Sequence, residues 1–266
     1  VVVMRVPGSL AQLEDQLHRL RPLLHPATLV VAGAMTKAVH TSTIACFERL
    51  IGPTPTTHAR KKARLLLPTV DPGLDPGPSP YPTSYTLPSG HTVINHAGVF
   101  SVGRVDEGTQ LLIDHLEVPV SARMAIDLGC GSGVIALHLA LAAPALTVTC
   151  VDVSFAAVAS AAATFEHAFG TQHHGRFVAA DGLDGIEDRT IDLVVTNPPF
   201  HADRSRGDAV AWQFFTDARR VLRAGGRLLV VGNRHLGYHT KLRRLFGNGD
   251  VVASNPKFVV LAATKS

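Results

Sequence analysis

Cysteine is scarce and dispersed in this chain of 266 residues: Cys46, Cys130 and Cys150 stand far apart, with no paired spacing. That pattern argues against a disulfide scaffold and a cysteine zinc site, and it fits a reducing compartment. Charge is sparse as well. Only 17% of residues are charged, and a formal net charge of +4 permits a polyanionic partner without demanding one. Long apolar runs are missing. The opening Val1-Val2-Val3-Met4 is broken at Arg5 and Pro7, so it reads as neither a membrane helix nor a signal peptide. No initiator methionine stands at position 1, so the start is not read as a domain boundary. The fourteen histidines are scattered, and His235 and His239 have no carboxylate or cysteine set beside them, so no metal is expected. These absences lead to the expectation of a soluble, cytoplasmic protein with no membrane partner.

What is present is a core. Hydrophobic residues make up 46% of the chain, ample for one large or two modest domains. From residue 123 onward, strand-like and helix-like segments alternate: 124–128, 134–143, 146–151, 154–169, 176–180, 191–195, 209–222, 226–231 and 238–246. Such alternation predicts a parallel sheet covered by helices on both faces. The end differs, because runs at 251–253 and 257–262 flank Ser254-Asn255-Pro256, which predicts an antiparallel hairpin closing the sheet. Ahead of this domain, residues 68–90 hold Pro72, Pro76, Pro78, Pro80, Pro82 and Pro88 and few core-forming residues, so residues 70–90 read as a linker between 1–69 and 91–266.

The first 69 residues repeat part of the later pattern. Leu29-Val30-Val31-Ala32-Gly33 is similar to Leu229-Val230-Val231-Gly232, and Glu48-Arg49-Leu50-Ile51-Gly52 to Arg243-Arg244-Leu245-Phe246-Gly247. In each copy a lysine, Lys62 or Lys257, follows that last glycine by ten positions. The segment therefore reads as the second half of a degenerate copy of the later domain. On that alignment Arg5-Val6-Pro7-Gly8 occupies the slot of Asn197-Pro198-Pro199-Phe200.

Chemistry concentrates in two loops. Asp127-Leu128-Gly129-Cys130-Gly131-Ser132-Gly133 follows a strand and opens a helix, where glycines allow a tight turn and the helix N-terminus offers unpaired N–H groups. The spacing is G-x-G-x-G after an acid, unlike the G-x-G-x-x-G of dinucleotide loops. It suits a ligand carrying an ammonium and a sulfonium, such as S-adenosylmethionine, with Asp127 orienting the amino group; a nicotinamide dinucleotide is the competing reading. Asp152 ends the next strand, placed to accept both ribose hydroxyls of an adenosine. Asp181 closes the third strand, with a helix-capping role as the alternative.

Asn197-Pro198-Pro199-Phe200 follows the fourth strand. An exocyclic amine is a poor nucleophile because its lone pair is delocalised into the ring. The Asn197 side-chain oxygen and the Pro198 carbonyl can accept its two N–H groups and localise that pair, Pro198 and Pro199 stiffen the loop, and Phe200 offers a stacking face. Upstream, Asn95 to Ser101 and Asp106 to Gln110 lead into an apolar helix that can lie across the pocket. The cofactor-facing set expected is Phe100, Asp106, Gly108, Asp127, Gly129, Cys130, Gly131, Gly133, Asp152, Val153, Asp181, Gly182 and Asn197. Arg204, Arg206 and Arg234 are candidate RNA contacts. Arg60, Lys61, Lys62 and Arg64 form a further basic cluster, as do Lys241, Arg243 and Arg244.

Taken together, Asn95-His96-Ala97-Gly98-Val99-Phe100-Ser101, Asp127-Leu128-Gly129-Cys130-Gly131 and Asn197-Pro198-Pro199-Phe200-His201 resemble the bacterial ribosomal RNA guanine-N2 methyltransferases. Gly232-Asn233-Arg234-His235-Leu236, Phe246-Gly247-Asn248 and Asn255 to Leu261 bring the likeness nearer to the large-subunit enzyme than to the small-subunit one. The resemblance implies a class I methyltransferase fold, Rossmann-like and seven-stranded, preceded by a degenerate copy that assists RNA binding or folding. It also implies S-adenosylmethionine as cofactor and ribosomal RNA or a ribosomal subunit as partner. Methylation of adenine, or of a glutamine amide in a protein, is the alternative for such a loop, although Tyr is the commoner fourth residue there.

Overall fold

The computed structural model describes residues 1–100, 103–171, 175–199 and 204–266, with the side chains of 204–206 excepted. The chain forms two compact units, Val1–Pro82 and Thr83–Ser266.

In the first unit, β1 (Val2–Arg5), α1 (Leu10–Leu20), β2 (Val30–Met35), α2 (Thr41–Leu50) and β3 (Ala63–Leu66) follow one another. β1 runs parallel to β2, and β3 pairs antiparallel to β2. Residues 53–57 continue the pairing on the far side of β3, through Thr57 N–H to Leu65 O (3.0 Å) and Leu67 N–H to Pro55 O (3.0 Å). Leu13 and Leu17 of α1 and Phe47 and Leu50 of α2 cover one face of this sheet. Val3 and Leu65 remain exposed on the strands, as alternation along a half-covered sheet requires.

The second unit opens with β4 (Thr83–Thr86) and β5 (Thr92–Asn95), an antiparallel hairpin, and then α3 (Glu107–Asp114). The main fold follows: β6 (Met124–Leu128), α4 (Val134–Ala142), β7 (Thr147–Asp152), α5 (Phe155–Phe169), β8 (Gly175–Ala179), β9 (Ile191–Thr196), α6 (Arg204–Val221), β10 (Leu222–Asn233), α7 (Tyr238–Phe246), β11 (Asp250–Ser254) and β12 (Phe258–Thr264). Seven strands pair in the order β11-β12-β10-β9-β6-β7-β8. β12 is antiparallel to both neighbours, and the other pairings are parallel.

Every residue of β9 is buried, because the sheet is covered on both sides and its central strands need apolar residues at odd and even positions alike. Leu193 and Val195 face the cluster built on α4 and Phe165 of α5; Val194 faces the one built on α6 and α7. The strand order reverses between β9 and β6, both of which end at the same edge. In open α/β sheets that crevice is where ligands settle.

The seven-stranded sheet and its antiparallel C-terminal hairpin match the sequence expectation. One difference falls in the stretch read as a linker, which ends in β4. Its Tyr85 and Leu87 pack into the core of the second unit, although the flanking prolines mask the alternation Thr83-Ser84-Tyr85-Thr86. Among the described residues no helix is long and apolar enough to cross a membrane.

Candidate active site

At the switch point lies a cavity of about 470 Å³, within the usual range for small-molecule sites. The ends of β6, β7 and β9, the start of α4, the segment before α3 and part of α6 line it.

The glycine loop supplies one wall. Gly129 and Cys130 N–H groups donate to Val151 O at 2.8 and 3.0 Å, stitching the loop to β7. Gly131 has φ +53°, and a Cβ placed there would project into open space, so the residue keeps bare backbone toward the cavity. Gly133 serves packing: its missing Cβ would come within 2.9 Å of the Ala161 Cβ, so α4 can lie close to α5. The Cys130 thiol is pushed well up by its hydrogen bond to Cys150 and by burial. It is held neutral and is no nucleophile.

Asp152 lines the cavity with both oxygens engaged once, Oδ2 by Gly131 N–H at 3.1 Å and Oδ1 by Ser154 N–H at 2.9 Å. A carboxylate fixed in this way keeps lone pairs for a diol. Asp181 is exposed at the cavity and accepts from Gln213 Nε2 at 3.3 Å. Gly182 beside it is glycine because a Cβ would collide with the Asp217 carboxylate, which accepts the Leu183 N–H.

Asp127 is placed beneath the loop and not on the cavity wall. It is fully buried; Oδ2 accepts the Ala136 N–H at 3.0 Å, and Oδ1 has no partner among the described residues. Burial, aided by the nearby charge of Asp152 and opposed by the Ala136 N–H, raises its pKa to about 7.

The acceptor end is built around Asn197. Its Nδ2 donates to Thr109 Oγ1 at 2.8 Å and to Asp106 Oδ2 at 3.3 Å. The same Asp106 oxygen caps α3 by accepting the N–H groups of Gly108 and Thr109. With both donors of the amide directed at fixed acceptors, Oδ1 is left as a buried oxygen without a partner among the described residues. An orphaned buried acceptor is costly unless something arrives to satisfy it. Pro198 and Pro199 also line the cavity.

Of the expected cofactor-facing residues, Phe100, Asp106, Gly129, Cys130, Gly131, Asp152, Val153, Asp181, Gly182 and Asn197 line this one cavity, while Gly108, Asp127 and Gly133 do not. Gly108 sits against Phe258, where a Cβ would have 3.1 Å. Phe200 and the side chains of Arg204 and Arg206 lie outside the described residues. Arg234 follows β10 in a short helical turn, its guanidinium 3.5 Å from Asn255 O. Sequence reasoning missed Thr109, Tyr85 and Phe214, all cavity-lining. Thr109 had a signal, since Asp106 begins a capping motif whose third residue onward is Thr109; Phe214 is indistinguishable in sequence from the core face of α6.

Comparison with known proteins bears on this arrangement. Residues 90–262 match the family model for the methyltransferase small domain, and residues 1–72 match the model for the RLMG N-terminal domain. The ribosomal RNA large subunit methyltransferase G of Streptomyces avermitilis is 52% identical, aligned over 100% of this chain and 71% of its own length. The protein of that name from Pseudomonas putida strain GB-1 is 45% identical over 99% of this chain and 70% of its own. Among solved structures, the T. thermophilus 16S rRNA N2 G1207 methyltransferase in complex with AdoMet and guanosine superposes with a TM-score of 0.81 at 25% identity, covering 100% of this chain and 72% of its own.

Proposed function

From a chain that belongs to the family of ribosomal RNA large subunit methyltransferases G, we propose transfer of a methyl group to the exocyclic N2 amine of a guanine in large-subunit ribosomal RNA. It is an S-adenosylmethionine-dependent methyltransferase. The observation that carries the acceptor assignment is Asn197, whose amide is locked by Thr109 and Asp106 so that its oxygen alone has no partner among the described residues.

The residues fit the cofactor. Asp152 would hold the ribose hydroxyls, Asp181 the adenine end, and the bare backbone at Gly131 with the start of α4 would line the amino-acid end. Asp127, beneath the loop, stiffens it through the Ala136 N–H. When bound, S-adenosylmethionine supplies a methyl group on a positively charged sulfur. The chain does the rest by orientation. Asn197 Oδ1 accepts one N–H of the amine and the Pro198 carbonyl accepts the other, which turns the nitrogen lone pair out of the ring system. Phe200 stacks the base, and Arg204, Arg206 and Arg234 contact phosphates. The methylated amine sheds its proton to water, so no strong general base is required. Rigid positioning is the main source of rate here, since small misplacements are expensive.

The 16S relative in the comparison favours a second reading, a guanine of the small subunit. Identities of 45–52% to the large-subunit proteins against 25% to the 16S one favour the first. The place of action proposed is the bacterial cytoplasm. Residues 1–69 are proposed to be part of a degenerate methyltransferase-like domain joined through residues 70–90 to the catalytic domain at 91–266; the shared order of parallel and antiparallel pairings in the two units supports this.

Asn197→Ala tests the acceptor assignment. Methyl transfer to ribosomal RNA should fall by at least about 10²-fold, the scale for losing one preorganised polar partner of a reacting group, while calorimetry shows unchanged S-adenosylmethionine affinity. Full activity in this variant would remove Asn197 from the mechanism.

A further inference from the structure

The cavity wall carries charge of one sign. Among the described residues it holds three carboxylates, Asp106, Asp152 and Asp181, and no lysine, arginine or histidine. S-adenosylmethionine has a sulfonium and an ammonium, which this wall suits, and also a carboxylate, which it does not. With no cation to meet that carboxylate, neutral donors must hold it, and few are available. The lining residues with a side-chain O–H or amide N–H are Tyr85, Thr109, Ser132, Ser154 and Asn197. Asn197 directs its amide donors to Thr109 and Asp106 at the acceptor end, and Ser154 caps α5 next to Asp152, where the ribose would lie. Tyr85 and Ser132 remain.

Tyr85 is brought there by a hairpin outside the seven-stranded sheet. It lies opposite Val93 in the pairing of β4 with β5, and β5 is tied to α5 by Ile94 N–H to Thr164 Oγ1 at 3.0 Å and His96 N–H to Ser160 Oγ at 2.9 Å. Residues opposed in a ladder share a face. Val93 is fully buried in the cluster that includes α4, so Tyr85 points inward as well. Its hydroxyl is buried and makes no hydrogen bond of good geometry among the described residues. Burial pushes the phenol up, opposed by the Ser132 hydroxyl beside it. Ser132 stands in the glycine loop just before α4, the stretch that lines the amino-acid end. Packing alone does not account for an unpartnered phenol here, because phenylalanine would fill nearly the same space without burying a polar atom.

We propose that the Tyr85 hydroxyl, together with that of Ser132, holds the carboxylate of bound S-adenosylmethionine. The inference rests on the cofactor stated above and gives the β4–β5 hairpin a part in holding it. Donation to a carboxylate satisfies the phenol, and the N–H groups at the start of α4 favour the same negative charge. Adenosine would be held by Asp152 and Asp181 and the amino-acid arm by this hydroxyl pair.

Four ligands take the cofactor apart: S-adenosylmethionine, S-adenosylhomocysteine, decarboxylated S-adenosylmethionine, and 5′-methylthioadenosine, which lacks the amino-acid arm. Calorimetry measures each with the wild type, Tyr85→Phe and Ser132→Ala. Tyr85→Phe keeps the ring and removes only the unpartnered hydroxyl, so thermal stability should hold or rise. Its affinity for the two ligands that carry a carboxylate should fall by at least about tenfold, the scale of a hydrogen bond to a charged group. The two ligands without one should bind as they do to the wild type. Ser132→Ala should show the same selectivity. Equal weakening of all four ligands in Tyr85→Phe, or weakening of none, would overturn the carboxylate assignment and leave the cofactor standing. A wild type that binds no S-adenosylmethionine would overturn both.

Discussion

Two regions of this chain share one plan and differ in chemistry. In the first unit β1, β2, β3 and residues 53–57 pair parallel, antiparallel and antiparallel; in the second, β9, β10, β12 and β11 do the same. Helices join the corresponding strands in both. At the end of β9 stands Asn197, with its amide fixed and its oxygen without a partner among the described residues. At the end of β1 stands Arg5, and residues 5–9 contain no Asp or Glu. The same edge of the same topology serves an oriented acceptor in one case and bare charge in the other. A fold supplies the place, and a few side chains decide what happens there.

The largest test of that contrast is Asn197→Ala, which removes the side-chain acceptor from the catalytic edge and leaves only the backbone carbonyl of Pro198. Next comes Thr109→Ala. It leaves Asn197 in place but removes its nearer acceptor, so the amide can rotate and kcat should fall about tenfold with KM for RNA little changed. Thr109→Ser should restore most of the rate, a rescue that a purely packing role would not give. Steady-state methylation kinetics distinguish these outcomes.

A third prediction concerns Asp127, since the first unit has no buried carboxylate among the described residues. Its folded pKa of about 7 lies above the unfolded value of 3.8. The folded state therefore holds an extra proton between those limits, and stability falls as pH rises through that window by up to about 1.4 kcal/mol per pH unit. Urea unfolding of the cofactor-free protein at pH 5 and pH 7.5 should show the loss, and Asp127→Asn should flatten it. An equally steep dependence in Asp127→Asn would place the titration elsewhere. The smallest effects separate the two proline slots. Pro199→Ala should slow transfer by about tenfold through a loosened loop, while Pro7→Ala, at the matching position, should change it less than about twofold.

Much of this was legible in the sequence because the signals are local. Continuous apolar strands, the glycine run after Asp127 and the Asn-Pro-Pro loop each declare themselves within a few residues. Asn197 and its acceptors do not, since Asp106 and Thr109 lie 91 and 88 residues away and meet it only when α3 packs on β10 and β12. Asp127 was read at the right strand end, but whether its carboxylate turns toward the cavity or under the loop depends on the rotation of the side chain against α4. β4 was hidden by prolines that disrupt its pattern without preventing its pairing. Lys61 and Lys62 show in the sequence only as charge, while their left-handed φ values of +50° and +62° belong to the backbone.

The central claim concerns one nitrogen atom. Incubating the protein with S-adenosylmethionine labelled in its methyl group and protein-free large-subunit ribosomal RNA, followed by nuclease digestion and mass analysis, identifies where the methyl goes. The account predicts a single labelled nucleoside, N2-methylguanosine, lost in Asn197→Ala; label on adenosine, or on ribosomal protein in a parallel reaction with whole subunits and not on guanosine, would contradict it.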